Sequence, residues 1–506
     1  MGSGGQCEVV KGQVAAADAA TKNAVLSTKP TTTTTDSTKT NNNIDGAWVS
    51  PFTPDKIDPT VSSMSLKEIN AQFPTKSELR AVIPPHCFER SLFWSFYSIG
   101  RDLFMSAIVA YITYHTLSVD PPEGGLLGNP VGWIAWRLAW NVYALFMTAA
   151  YGGLWVIGHE CGHGAFSDYP IVNDIVGWIL HSSILVPYFT WAFSHAKHHR
   201  RTNDLIEGET HVPPDHKEMG LIKNDEGTYE RLPKEVIDSK LSVFAEGGLT
   251  DFFSHFHYGH ALCHEHNGDE AFSCLMLWSR LFMGFQLYVL GIGSNGHLGS
   301  DGKWIEKGTF PDHFRPWSRL FPEKMYWKVV ASDIGCLITL SILAYCSYLF
   351  GVRAVWFWYG GPYLLINATL VTFTWLQHTD PTVPHFDADN WNWIKGALAG
   401  TIDRPLHPPM GVSLSHHIVT THVCHHLFHE IPHYHAVEAT AHIRAYLEPK
   451  GLYNYDPTPM ASALWKVAST CHFVDSLTDG VQYYRNFREV PLTTEATQNN
   501  KSKKTQ

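Results

Sequence analysis

Val131–His163 reads VGWIAWRLAWNVYALFMTAAYGGLWVIGHECGH. Its first part, Val131–Ile157, is apolar for longer than the ~20 residues a helix needs to cross a bilayer, although Arg137 interrupts it. It runs directly into His159-Glu160-Cys161-Gly162-His163. Imidazoles at i and i+4 share one face of a helix. One stretch thus supplies a membrane-scale helix and, at its end, a pair of metal-capable side chains.

Three more apolar stretches extend the first theme: Leu103–Leu117 continued back through Leu92–Ile99, Val329–Phe350 and Trp356–Leu376. A soluble alternative would have to bury all four as core helices, which is difficult without lipid. The expected fold is an all-α integral membrane protein: four transmembrane helices and a cytosolic helical cap. Ile171–Phe193 and Leu275–Ile292, apolar but broken by polar groups, read as interfacial or half-buried helices. Ser118–Pro130 has no Lys or Arg and the turn Gly351–Arg353 joins it on the non-cytosolic side, while the Lys/Arg-rich segment 194–328 faces the cytosol. Four spans place both termini in the cytosol.

Composition bounds the rest. Of 506 residues 30 are His, against 37 Lys+Arg and 47 Asp+Glu, for a net charge of −10. That balance excludes a nucleic-acid binder, which needs a basic footprint. Nine Cys without a CxxC pair suggest neither a disulfide scaffold nor a cysteine-type zinc site. Residues 1–62 read as a disordered tail, led by the Thr/Asn-rich Lys29–Asn43, and residues 491–506 as a polar C-terminal tail. The N-terminal MGSGGQC lacks the apolar core of a signal peptide.

Two more histidine clusters complete the second theme: His195-Ala196-Lys197-His198-His199 and His422-Val423-Cys424-His425-His426. With His159 and His163 they make eight imidazoles on the predicted cytosolic face. One zinc takes about four ligands, so two metal ions is the economical reading; imidazole alone does not choose among Fe, Zn, Cu and Ni. The first cluster also matches HExxH, which by itself reads as a zinc metalloprotease with Glu160 as general base. Two HxxHH clusters have no part in such a site. A surface histidine patch is the bland reading of any one cluster.

The order and placement of the clusters resemble the membrane fatty acid desaturase family. So do Pro84-Pro85-His86-Cys87-Phe88-Glu89-Arg90-Ser91, Trp155–Tyr169, the string YGGPYLLINATLVTFTWLQHTDPTVPHFD within Tyr359–Asp387, and His416–Thr440, all similar to the microsomal oleate Δ12 (omega-6) desaturases. The similarity covers roughly residues 63–450, and 63–490 is expected to be one desaturase domain. The resemblance implies a di-iron centre held by His159, His163, His195, His198, His199, His422, His425 and His426, with His378 as a ninth ligand. His416 is implied to support the ligands, and Glu160, Asp168, Glu209, Asp380 and Glu438 are candidate carboxylates for orienting the imidazoles.

An unactivated methylene has no acidic proton and no leaving group, so acid–base residues cannot desaturate it; the work falls to a metal or cofactor. The resemblance implies two Fe ions with O2 as co-substrate and a fatty acyl lipid, most simply phospholipid-linked oleoyl, as substrate. With no fused haem-binding HPGG in the sequence, a separate cytochrome b5 and its NADH-dependent reductase are the implied electron source, and Lys197, Arg200 and Arg201 could meet an acidic partner. The resemblance implies Δ12 chemistry, since Glu160 stands in HECGH where the ω3 relatives more often carry HDCGH; an ω3-desaturase, or a hydroxylase, epoxygenase or acetylenase of the same family, is the alternative. Lys503-Lys504-Thr505-Gln506 resembles a dilysine signal for retrieval to the endoplasmic reticulum membrane. Residues 215–270 look like an enlarged cytosolic loop in which His255, His257, His260, His264 and His266 crowd together, read as an amphipathic surface helix rather than a third metal site.

Overall fold

The structure is a computed structural model that describes residues 47–487 apart from 220, 225–226, 232–255, 293–295, 306–310 and 407–413; the side chains of 230–231, 256–269 and 272 are not described. All of these residues fall in the unit Gly46–Gln506. The fold is mostly helical. The helices that frame it are α1 (Leu92–Thr116), α2 (Pro130–His163), α3 (Pro170–Ser183), α4 (Tyr188–Arg200), α5 (Phe256–Val289), α6 (Tyr326–Phe350), α7 (Gly361–His378), α8 (His422–Leu427), α9 (His433–Leu447) and α10 (Met460–Thr470). Two antiparallel two-stranded ribbons, Leu221–Lys223 with Tyr229–Arg231 and His385–Phe386 with Val481–Gln482, add to the all-α expectation.

Local sequence sets the helix ends. Pro130 opens α2, with the Asn129 side chain accepting the Gly132 N–H at 3.0 Å. The helix closes at Gly164, whose φ of 69° is the left-handed conformation glycine adopts without strain. Close packing of α1 on α2 also depends on glycine, since a Cβ on Gly153 would sit 2.3 Å from a carboxylate oxygen of Asp102.

Among the described residues, two helices are long and apolar enough to cross a membrane: α2, and Glu323–Phe350, which contains α6. The pair α3–α4, bent by 104°, passes only if taken as one broken span. It occupies Ile171–Phe193, where an interfacial segment was expected. The other two expected spans are helical but fall short of the same test. α1 carries Arg101 and Asp102 at its centre, paired at 2.7 Å, and Trp356–His378 is split into a π turn, Trp356–Gly360, and α7. Large apolar side chains on α1 and α6 nonetheless face outward, among them Phe104, Tyr111, Leu337 and Ile342, a surface suited to lipid. Arg137 is accommodated in α2 by lying against the rings of Trp136 and Phe357. The loop after α1 and the turn after α6 meet through Asp120 and Arg353 at 2.9 Å, so they share one end of the bundle, as expected.

At the opposite end of α2 sits the cap, whose largest apolar core joins Phe52, Ile57 and Leu79 to Leu398, Leu427 and Ile443. Residues 47–62 are therefore part of the fold, which corrects the expected tail boundary. The polar composition that suggested disorder ends at Asn43, and beyond it Phe52 and Ile57 are fully buried anchors. Residues 1–46, 488–506 and His255 lie outside the described residues. His257, His260, His264 and His266 fall on α5, their side chains undescribed.

Candidate metal centre

Each box is carried by its own element. His159 and His163 sit on the last turns of α2, His195, His198 and His199 on α4, and His422, His425 and His426 on α8, while His378 ends α7. Asp403 fixes the start of α8 by accepting the Val423 N–H at 2.9 Å.

These nine rings converge in two neighbouring groups. Ring nitrogens of His159, His163, His195, His199 and His425 all lie within 4.8 Å of one another, as do those of His198, His378 and His426. His422 joins the second group, its Nε2 2.9 Å from Nε2 of His378. The second and third boxes are thus divided: His195, His199 and His425 serve one group, His198, His422 and His426 the other. The groups adjoin where the rings of His199 and His426 stack at 4.1 Å.

Nitrogens face nitrogens across both groups. Nε2–Nε2 separations are 3.3 Å for His159–His163, 3.1 Å for His195–His199 and 3.1 Å for His198–His378. The buried Nε2 atoms of His425 and His426 find no hydrogen-bond partner among the described residues. Buried polar atoms are rarely left so, and inward-facing lone pairs fit a cation.

Surrounding contacts set which nitrogen carries the proton. His378 Nδ1 must donate to the Gly400 carbonyl (2.8 Å), which leaves its Nε2 lone pair facing His198 and His422. Thr202 spends its hydroxyl proton on the His198 carbonyl (2.9 Å), so it accepts from His426 Nδ1 at 3.0 Å and frees that ring's Nε2 likewise. His198 Nδ1 bonds to the Thr210 hydroxyl at 2.9 Å. Burial, followed by repulsion among neighbouring rings, holds His422, His425 and His426 well below the ordinary imidazole pKa, so they are neutral donors. Thr202→Val removes the acceptor that orients His426 and is expected to lower metal affinity or turnover by about 10- to 100-fold, measured as bound metal and product formed.

This differs from the expected carboxylate support. Glu160 accepts the His433 N–H at the start of α9 (2.8 Å), Asp168 pairs with Arg90 (2.9 Å), and Asp380 with Lys466 (2.7 Å). Glu209 accepts from the Tyr288 hydroxyl (3.0 Å) and Glu438 meets His86 (3.0 Å). Two hydroxyls and a carbonyl instead hold three of the imidazoles, those of His198, His378 and His426, since charged groups are costly at such depth unless paired. His416 bonds Asp102 at 2.7 Å, tying the loop before α8 to α1. Sequence reasoning missed Thr202, Thr210 and Gly400, as well as His429, whose ring stacks on His163; only the position of Thr202, three residues past the second box, hinted at its part.

A cavity of about 370 Å³ opens against both groups. Trp155, Trp191, Phe285, Leu370 and Trp375 form apolar wall, and His195, His198, His378 and His422 line one side. Glu209 also borders it, its carboxyl pushed up to about 8 by burial and hence mostly protonated at neutral pH.

Known proteins share much of this sequence. The profile described as fatty acid desaturase matches residues 135–234. The chain is 35% identical over 422 residues to the Δ12-oleate desaturase of Trichosanthes kirilowii, covering 81% of this chain and 95% of that one. It is 33% identical over 418 residues to the Δ12 fatty acid desaturase of Mortierella alpina, 82% of this chain and 92% of that one. The oleoyl-12-hydroxylase of Ricinus communis is 33% identical over 418 residues, 81% and 90% of the two chains. With relatives matched across most of their length and nine histidines gathered in two adjoining groups, this chain belongs to the fatty acid desaturase family and is an oxidoreductase acting on a fatty acyl lipid.

Proposed function

We propose that His159, His163, His195, His198, His199, His378, His422, His425 and His426 hold two iron ions, and that the enzyme places a cis double bond at Δ12 of lipid-linked oleate to give linoleate. The observation that carries this reading is the convergence of all nine rings in two adjoining groups, with His195, His198, His378 and His422 lining one side of a cavity. Iron supplies the oxidising power that no side chain has. In the net reaction –CH2–CH2–, O2, two electrons and two protons become –CH=CH– and two waters.

The chain's own residues position and shield. Trp155, Trp191 and Phe285 hold acyl methylenes against the histidine wall, so the depth of the chain selects the carbon pair. The same walls keep bulk water out.

Electrons arrive from cytochrome b5 and its NADH-dependent reductase. Of the three basic groups expected to meet such a partner, Lys197 donates to the Leu298 carbonyl and Arg201 pairs with Glu207. Arg200 is the exposed member and the one assigned to docking. Four spans, α1, α2, α6 and Trp356–His378, place the boxes and both termini on the cytosolic face of the endoplasmic reticulum membrane. The catalytic domain runs to residue 490, followed by the tail with its dilysine signal.

Expression in a yeast that makes only monounsaturated acids tests this reading. New 18:2 Δ9,12 is expected in its lipids. Unchanged oleate beside an expressed, iron-loaded protein would overturn it. The similarity to an oleoyl-12-hydroxylase supports a second reading, for which 12-hydroxyoleate would replace linoleate in the same profile.

A further inference from the structure

A second set of metal-capable side chains lies apart from the nine histidines. Donor atoms of His86, Cys87, His435 and Glu438 all fall within 4.8 Å of one another. They come from two segments far apart in sequence. His86 and Cys87 occupy the short 3-10 turn Pro85–Phe88, where Pro84-Pro85 restricts the backbone. His435 and Glu438, three residues apart, share one face of α9. The two segments pack directly on each other.

The geometry is close to that of a small closed site. His86 Nε2 lies 3.0 Å from Glu438 Oε2 and 3.8 Å from Cys87 Sγ, and the two imidazole rings meet edge to face at 5.5 Å. Cys87 is fully buried, while His86 and Glu438 remain half exposed, which gives an ion a route in from solvent. One sulfur, two imidazole nitrogens and one carboxylate is a donor set that suits zinc in a four-coordinate structural site.

We propose that His86, Cys87, His435 and Glu438 bind a zinc ion that fastens the segment before α1 to α9. Binding releases the Cys87 thiol proton to solvent, and the thiolate and carboxylate together balance the two positive charges of the ion; no electron is transferred. α9 begins seven residues after His426, and its first N–H is held by Glu160 of the first box whether or not an ion is bound. An ion here would fasten Pro85–Phe88 to α9 without touching the histidine centre or the substrate cavity.

The test uses the full-length protein, purified in detergent, treated to remove zinc and then titrated with Co2+. The expected result is a near-ultraviolet thiolate-to-cobalt charge-transfer band in the wild type, absent in Cys87→Ser and shifted or weakened in Glu438→Gln, with the iron content of both variants equal to that of the wild type. Both substitutions nearly preserve volume, and unchanged iron content reports that the fold survives. As a second reading, zinc per chain should fall by one equivalent in Cys87→Ser. A wild-type protein without the band, or a band and zinc content that persist in Cys87→Ser, would overturn the proposal. Loss of iron in parallel with zinc in both variants would overturn it too, because the site would then be inseparable from the histidine centre.

Discussion

His425→Ala is expected to abolish linoleate formation and to deplete bound iron. The His425 ring lies 4.6 Å from those of His159 and His199 and 4.9 Å from that of His163, measured between ring centres. It is the third box's contribution to the five-membered group, and its buried Nε2 has no hydrogen-bond partner among the described residues. Removing it takes away a ligand rather than a ligand's support, so the loss should exceed the roughly 100-fold reached by outer contacts. The yeast lipid profile and the iron content of the purified variant read the two effects. Activity within tenfold of the wild type would remove His425 from the centre.

His378→Ala is expected to abolish turnover as well, but to leave one iron bound rather than none. His378 stands between His198 and His422, with Nε2–Nε2 distances of 3.1 and 2.9 Å, and belongs only to the second group. Its Nδ1 proton is committed to the Gly400 carbonyl, so no other nitrogen of the ring can substitute. The first group, with its five rings, remains intact. An iron count that stays at two in this variant would mean that His378 is an ordinary helix-end histidine.

How much of this was legible in the sequence depends on whether the signal was local. The boxes were, because spacing at i, i+3 and i+4 fixes a helical face. Their division was not. His195 and His199 turn one way and His198 the other, and that follows from Thr210 and from the approach of His378, 180 residues away. The orienting groups were misjudged for a related reason. Carboxylates stand out in a sequence, but a threonine hydroxyl or the Gly400 carbonyl acquires its role only from its neighbour in space. The frame shows the same limit. α2 and α6 are long apolar runs with few charges, and that local signal alone marks them as helices of membrane length. α1 hides its Arg101–Asp102 pair by burying Asp102 against His416, and α3 and α4 meet at 104° across a short break at Ile184–Pro187 inside one apolar stretch. Residues 47–62 were lost to the polar stretch before them, since two buried side chains, Phe52 and Ile57, weigh little in a composition window but anchor the segment in the core.

The metal content of the full-length protein, purified from membranes without added metal, tests the central claim most directly. Two irons per chain are expected at the histidine centre. A centre filled by zinc with iron absent, or iron that remains after the second and third boxes are both replaced by alanine, would contradict it.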